Sequence, residues 1–214
     1  MKKTVFILVL GTLLVGLIFA LSSFAPTTVS TNTGTTTRMI SLTPAGTLTK
    51  DDIESLKFMI QEEKLARDVY LTLYNIYKLT VFSNIAQSEQ RHMDAVKTLL
   101  DKYGIENPLK TDTIGKYADP EFEKLYNELV AEGKKSIVDA INVGIKIEKL
   151  DIEDLKEAIS KTKNQDLTTV FTNLMQGSEN HLEAFTNQLG RFSQTSPTTS
   201  TTVAYGQRRR NRGK

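Results

Sequence analysis

Cysteine is absent from the 214 residues, and histidine occurs only twice. Without thiols there is no disulfide, no thiolate metal site and no lipid joined through sulfur. The fold must hold by packing, or by a metal bound through oxygen and imidazole. No stretch competes as a strand with the helical periodicity described below. A basic surplus is missing too, although the formal charge is +2. Five of the 27 basic residues lie in the last seven positions, RRRNRGK, and Lys2, Lys3 and Arg38 precede the core. Residues 50–192 carry 19 basic against all 25 acidic residues, a net of about −6. That balance argues against nucleic acid as a partner. The basic tail is left to touch anionic lipid, polymer or cell wall, or only to keep the chain soluble.

The first 25 residues, MKKTVFILVLGTLLVGLIFALSSFA, put two lysines before an almost unbroken apolar run. This is the pattern of a signal peptide or an N-terminal membrane anchor, since about 20 apolar residues span a bilayer. Ser23 and Ala25 form a small-x-small cleavage pattern that Pro26 directly follows, so release and anchoring both stay open. In either case the sequence predicts export, to the cell envelope or beyond it. Residues 26–50 read as a threonine-rich linker, and residues 193–214 as a disordered Ser/Thr-rich and basic tail.

Between them the apolar residues recur with alternating steps of three and four, which predicts long amphipathic helices. The first spans about Asp51–Lys78, capped by Thr49 or Asp51, with a seam of Leu56, Met59, Glu63, Ala66, Tyr70, Leu73 and Tyr77. The second spans about Phe82–Tyr103 and stops at Gly104, with Phe82, Ile85, Glu89, His92, Val96 and Leu99 in line. Residues 105–118 read as irregular, and DPEFEKLYNELVAEG from Asp119 as a short helix within a long crossover. The third long helix starts near Ser136, aligns Ile137, Ile141, Gly144, Glu148, Asp151 and Leu155, and offers a bend at KLDIEDL. The fourth spans about Asp166–Phe192, with Leu167, Val170, Leu174, Ser178, His181, Phe185 and Phe192 on its seam. The predicted class is all-α: a four-helix bundle over residues 51–192, with the short helix in the crossover between helices 2 and 3.

Three of these seams carry an acidic residue midway, and two carry the only histidines, His92 and His181. A carboxylate on an apolar seam is costly unless something pairs with it. Several at matching heights call for a cation. Glu89 and His92, at i and i+3, face the same way and can share a metal.

The phrases EEKLARDVY, SEQRHMDAV, the I-E-x-x-D-I-x-D-L run and G-S-x-N-H-L-x-A-F resemble the DUF2202 ferritin-like domain family, within the rubrerythrin-type di-iron carboxylate superfamily. The resemblance implies a ferritin-like bundle with ligand roles for Glu63, Glu89, His92, Glu148 and His181. It implies one or two iron ions, or another divalent metal, with Glu89 bridging and the histidines terminal. Dioxygen or peroxide would be the co-substrate of a ferroxidase or peroxide-reducing oxidoreductase. Ser178 departs from the pattern, standing where a second ExxH needs glutamate, and Glu179 points about 100° away. Asp151, one turn beyond Glu148, is the candidate substitute. Glu62, Arg67, Asp68 and Arg91 are candidates to orient the ligands, with Asp68 or Asp151 accepting from imidazole.

Simpler readings stand beside these. Glu89 and His92 form a buried polar pair satisfied by Tyr and Arg, Glu63 pairs with Arg67 at i+4, and KIEKLDIEDL is a solvated acidic bend with Asp151 as an N-cap. The alternative function is then a non-catalytic helical module, metal-free or mononuclear, displayed on the envelope. The lack of a reductase or rubredoxin-like partner domain favours it. Tails at both ends argue against a ferritin-type cage and leave a homodimer open.

Overall fold

Thr49 opens the first helix with a reciprocal cap: its hydroxyl accepts from the Asp52 amide at 3.1 Å, and the Asp52 carboxylate accepts from the Thr49 amide at 2.9 Å. The computed structural model describes residues 47–194. The leader over 1–25, most of the linker, and the tail beyond residue 194 lie outside the described residues. Five helices follow in order: α1 Lys50–Tyr77, α2 Thr80–Lys102, α3 Pro120–Gly133, α4 Ile137–Lys161 and α5 Gln165–Gln194. Regular structure among the described residues is entirely helical. No helix among them is long and apolar enough to cross a membrane.

Sequence punctuation sets these boundaries. Lys78 takes a left-handed conformation (φ 54°) and donates its amide to Tyr74, so α1 turns into α2 within two residues. Gly104 (φ 64°) ends the second helix, as its position predicts. Asp119 caps α3 with Pro120 in the first turn, and Ser136 caps α4 through the Asp139 amide at 3.0 Å. The bend expected at KLDIEDL does not occur. α4 runs unbroken from Ile137 to Lys161, and Asp151 lies buried in its middle rather than at an N-terminus. The acidic spacing there serves the interior of one helix, where a fresh cap is not needed.

α1 lies along α2 and α4 along α5; α1–α4 and α2–α5 contacts close the four long helices into a ring, and α3 rests on α1 and α4. The apolar core inside that ring has two parts. One is built from Val69, Tyr70, Leu73, Phe82, Ile141 and Phe185 with their neighbours. The other is built around Leu56, Met59, Val96, Leu99, Leu155 and Phe171. A layer of buried polar side chains separates them: Glu63, Glu89, His92, Glu148, Asp151, Ser178 and His181. That interruption is what the fold positions.

One buried ionic network was not foreseen. Gln61 through Tyr70 are buried in succession, because the crossover covers the side of α1 turned away from the ring. Lys64, fully buried, pairs with Asp68, donates to the Thr113 carbonyl at 2.8 Å and sits over the Tyr117 ring. Asp68 also accepts from Arg67 Nε and Nη2, the Gly115 amide at 2.9 Å and the Tyr117 hydroxyl at 3.1 Å. Gln61 takes the Ala118 and Asp119 amides. The crossover is thus tied to α1 through satisfied charges as well as apolar contacts such as Phe58 with Phe122.

Candidate metal centre

Each long helix brings its polar seam residue to the same layer. α2 supplies Glu89 and His92 one turn apart, and both point inward because an i+3 pair shares a helix face. Glu63 comes from α1, Glu148 and Asp151 from α4, and Ser178 and His181 from α5. Glu63, Glu89 and Glu148 are each 1% exposed, whereas the histidines are 8–9% exposed, so the layer opens slightly on its imidazole side.

Glu89 is the hub. One of its oxygens, Oε2, lies 2.9 Å from His92 Nδ1, and the other, Oε1, lies 2.9 Å from His181 Nδ1. His92 Nδ1 is also 3.1 Å from Glu63 Oε2, and His181 Nδ1 is 3.4 Å from Glu148 Oε2. The two imidazole rings stack at 5.4 Å between centroids. The layer therefore contains two compact three-ligand groups, Glu63–Glu89–His92 and Glu89–Glu148–His181, which share Glu89 and can hold a metal ion. Five of the six candidate ligands fall in these groups.

Asp151 falls in neither. Its Oδ2 accepts from the Ser178 hydroxyl, which also bonds the Leu174 carbonyl at 3.0 Å. Ser178 thus engages Asp151 from the place where a fourth glutamate was sought, and Glu179 is exposed, as its helical phase requires. Tyr70 donates to Glu148 Oε1 at 2.6 Å and packs on Phe185 and Phe82, so it supports the layer from the apolar side. Of the proposed orienting residues, Arg67 and Asp68 tie down the crossover instead, and Arg91 is exposed. Asp68 cannot serve an imidazole, because its oxygens are committed to Lys64, Arg67, Gly115 and Tyr117.

The charges in this layer are poorly balanced by the protein alone. Burial pushes the Glu63 carboxyl well above its usual range, with the Asp151 charge adding to it. Burial and then Glu89 raise Glu148 to about 8, and burial raises Asp151 to about 7. For Glu89 burial acts in the same direction, but the two imidazoles beside its oxygens prevail and lower it to about 2. Burial would lower the imidazoles, yet Glu63 with Glu89 raises His92 to about 11, and Glu148 with Glu89 raises His181 to about 9. Several polar atoms with no solvent contact also lack a hydrogen-bond partner: Glu63 Oε1, Glu89 Oε1, Asp151 Oδ1 and His181 Nδ1. Orphaned lone pairs of this kind are costly, and a bound cation satisfies them. The donor set fits a metal of the iron, manganese or zinc type.

Two glycines let the helices close on the layer. A Cβ on Gly177 would lie 2.6 Å from His92 Nε2, and one on Gly144 would lie 2.7 Å from the Phe185 ring. Neither was singled out for this reason in the sequence, where a glycine in a helix signals only a weak point.

Fold and site together define an all-helical protein whose buried Glu and His groups can hold a metal ion. Residues 52–199 match the family described as an uncharacterized protein domain, DUF2202, and the chain belongs to that family. It is similar to the uncharacterized protein MJ0754 of Methanocaldococcus jannaschii, with 54% identity over 153 residues that cover 72% of this chain and 83% of that protein. The crystal structure of the hypothetical protein MJ0754 superposes with a TM-score of 0.69 at 54% identity, over 70% of this chain and 86% of that chain.

Proposed function

We propose that the chain is an exported, ferritin-like metal protein that binds two iron ions between its four long helices and reduces dioxygen or peroxide with electrons from Fe(II). The single observation that carries this reading is the position of Glu89, whose two oxygens each lie 2.9 Å from a different histidine and which shares a three-ligand group with each outer carboxylate. A bridging carboxylate between two three-ligand groups is the arrangement that a ferritin-like di-iron site requires. Glu63 and His92 would hold one ion, Glu148 and His181 the other, with Glu89 shared. The four carboxylates of the layer neutralise the ions' charge, and imidazole sets a preference for iron over calcium or magnesium. Bound iron would supply the electrons. The chain's residues exclude water, fix the ligands and, through Tyr70 on Glu148 Oε1, keep one carboxylate oriented.

The lysine-led apolar run at residues 1–25 supports export, and the threonine-rich linker after it supports a bundle held at the envelope. Anaerobic loading of the full chain with Fe(II), followed by oxygen or hydrogen peroxide, tests the activity. Fe(II) should be oxidised faster than in buffer, and Glu89→Ala should return it to the buffer rate. Equal rates for protein and buffer would leave metal binding without turnover.

The second reading, one metal per chain without catalysis, is favoured by Ser178. No fourth glutamate is present in that position, and Asp151 lies outside both compact groups.

A further inference from the structure

α4 carries four acidic residues at steps of three: Glu148, Asp151, Asp154 and Glu157. A three-residue step rises about 4.5 Å and falls about 60° short of a full turn, so such a stripe winds around the helix instead of staying on one face. The exposures follow that winding. Glu148 is 1% exposed and Asp151 5%, Asp154 is half-buried and Glu157 is exposed, where it pairs with Lys161. The stripe therefore leads from the centre of the ring to the surface in three steps.

A fifth carboxylate completes it from the neighbouring helix. Glu62 of α1 is only 7% exposed, and its Oε2 has neither solvent contact nor a hydrogen-bond partner. Burial and then Asp151 and Asp154 on α4 hold its carboxyl well above the usual range, and its side chain hydrogen-bonds that of Asp154. Two carboxyls in contact are held together either by a shared proton or by a cation. The largest influences on Glu62 include no lysine or arginine, and Lys64 and Arg67, close by in sequence, are engaged by Asp68. Asp151 links this pair to the centre, with one oxygen on Ser178 and the other without a partner.

We infer that Glu62, Asp154 and Asp151 form a cation-transfer path along the α1–α4 seam, which passes a hard divalent ion from the acidic surface to Glu63. This rests on the metal-binding reading of the centre. The donors are oxygen only, so the path takes Fe(II), Mn(II) or Co(II) loosely, and the ion is held firmly only where imidazole joins the ligand set. The histidines border the opposite, α2–α5 side of the layer. Cation delivery and small-molecule access are thereby placed on different faces.

Cobalt(II) uptake by the metal-free full chain, followed by stopped-flow visible absorption, tests the path. Asp154→Asn and Glu62→Gln should each slow loading about tenfold by removing local attraction, with unchanged final absorbance and unchanged helical circular dichroism. Glu183→Gln, which removes an exposed acid from α5, should load as fast as wild type. Variants at 62 and 154 that load at the wild-type rate overturn the path. A loss of final absorbance in them also overturns it, making these residues permanent ligands. A wild-type chain that takes up no cobalt overturns the reading of the centre itself, and so is told apart from failure of the path alone.

Discussion

His181 Nδ1 and Glu89 Oε1 lie 2.9 Å apart, yet neither atom makes a hydrogen bond. Two ligands at right angles on one ion, each about 2.1 Å from it, stand about 3.0 Å apart. The contact therefore has the spacing of neighbouring metal ligands.

Glu63 and Glu148 belong to different three-ligand groups, whereas Glu89 belongs to both. Glu63→Ala and Glu148→Ala should each remove one of two metal equivalents in isothermal titration and leave the other site measurable. Loss of both equivalents in either variant would contradict two separable sites.

Protons and metal compete for the same atoms, and the direction can be worked out. Glu148 at about 8 and Asp151 at about 7 sit above their ordinary values, so their stabilising effect is complete in acid and is lost as pH rises through those values. The raised histidines contribute fully below about 6.5 and lose that contribution as pH rises toward about 9 for His181 and about 11 for His92. Glu89 works oppositely, but its loss occurs only as pH falls toward about 2. The chelated chain should thus melt at lower temperature at about pH 9 than at about pH 5, while the metal-loaded chain shows the reverse order. Binding of two ions near neutral pH should release protons from Glu148, His92 and His181. Titration in buffers of differing ionisation enthalpy reads that release.

Gly177 leaves α5 room for the His92 ring. In Gly177→Ala the new methyl would meet His92 Nε2 at 2.6 Å, so the ring must shift and disturb the contacts of Nδ1 with Glu63 and Glu89. Overpacking of this kind costs about 1–3 kcal/mol. The variant should stay helical, bind its Glu63-side metal more weakly and keep the other. Unchanged affinity at both sites would show that the ring relaxes without moving Nδ1.

Asp68 holds the crossover. Asp68→Ala would leave Lys64 buried with only the Thr113 carbonyl and the Tyr117 ring, and would free the Gly115 amide. Breaking a buried pair from one side costs about 3–5 kcal/mol. Chemical denaturation should show a loss of that order, and limited proteolysis should cut within residues 105–118. Asp112, exposed and bonded to Arg67, should tolerate alanine far better.

Much of this is legible in the sequence, and the reason is periodicity. Seam positions such as Glu63, His92, Glu148 and His181 fall at helical steps among apolar residues, so their inward direction follows from the sequence. The cap at Thr49, the helix starts near Asp119 and Ser136 and the stop at Gly104 are equally readable, because each signal acts within a few residues. What escaped depends on distant parts of the chain. Lys64 and Asp68 look like an exposed i,i+4 pair until the crossover covers them, which no local pattern announces. Asp151 reads as a cap because its neighbours are acidic, and only contact with Ser178 on α5 shows why α4 continues through it. Gly177 matters through a ring on another helix, and Glu62 through the opposing Asp154.

The central claim is that two metals share Glu89. The most direct measurement is metal content by inductively coupled plasma mass spectrometry, on the full chain purified without a metal-affinity tag and loaded anaerobically with Fe(II). The account predicts about two irons per chain, and almost none in a folded Glu89→Ala variant. A folded wild-type chain without iron, or a Glu89→Ala variant that keeps both ions, would contradict it.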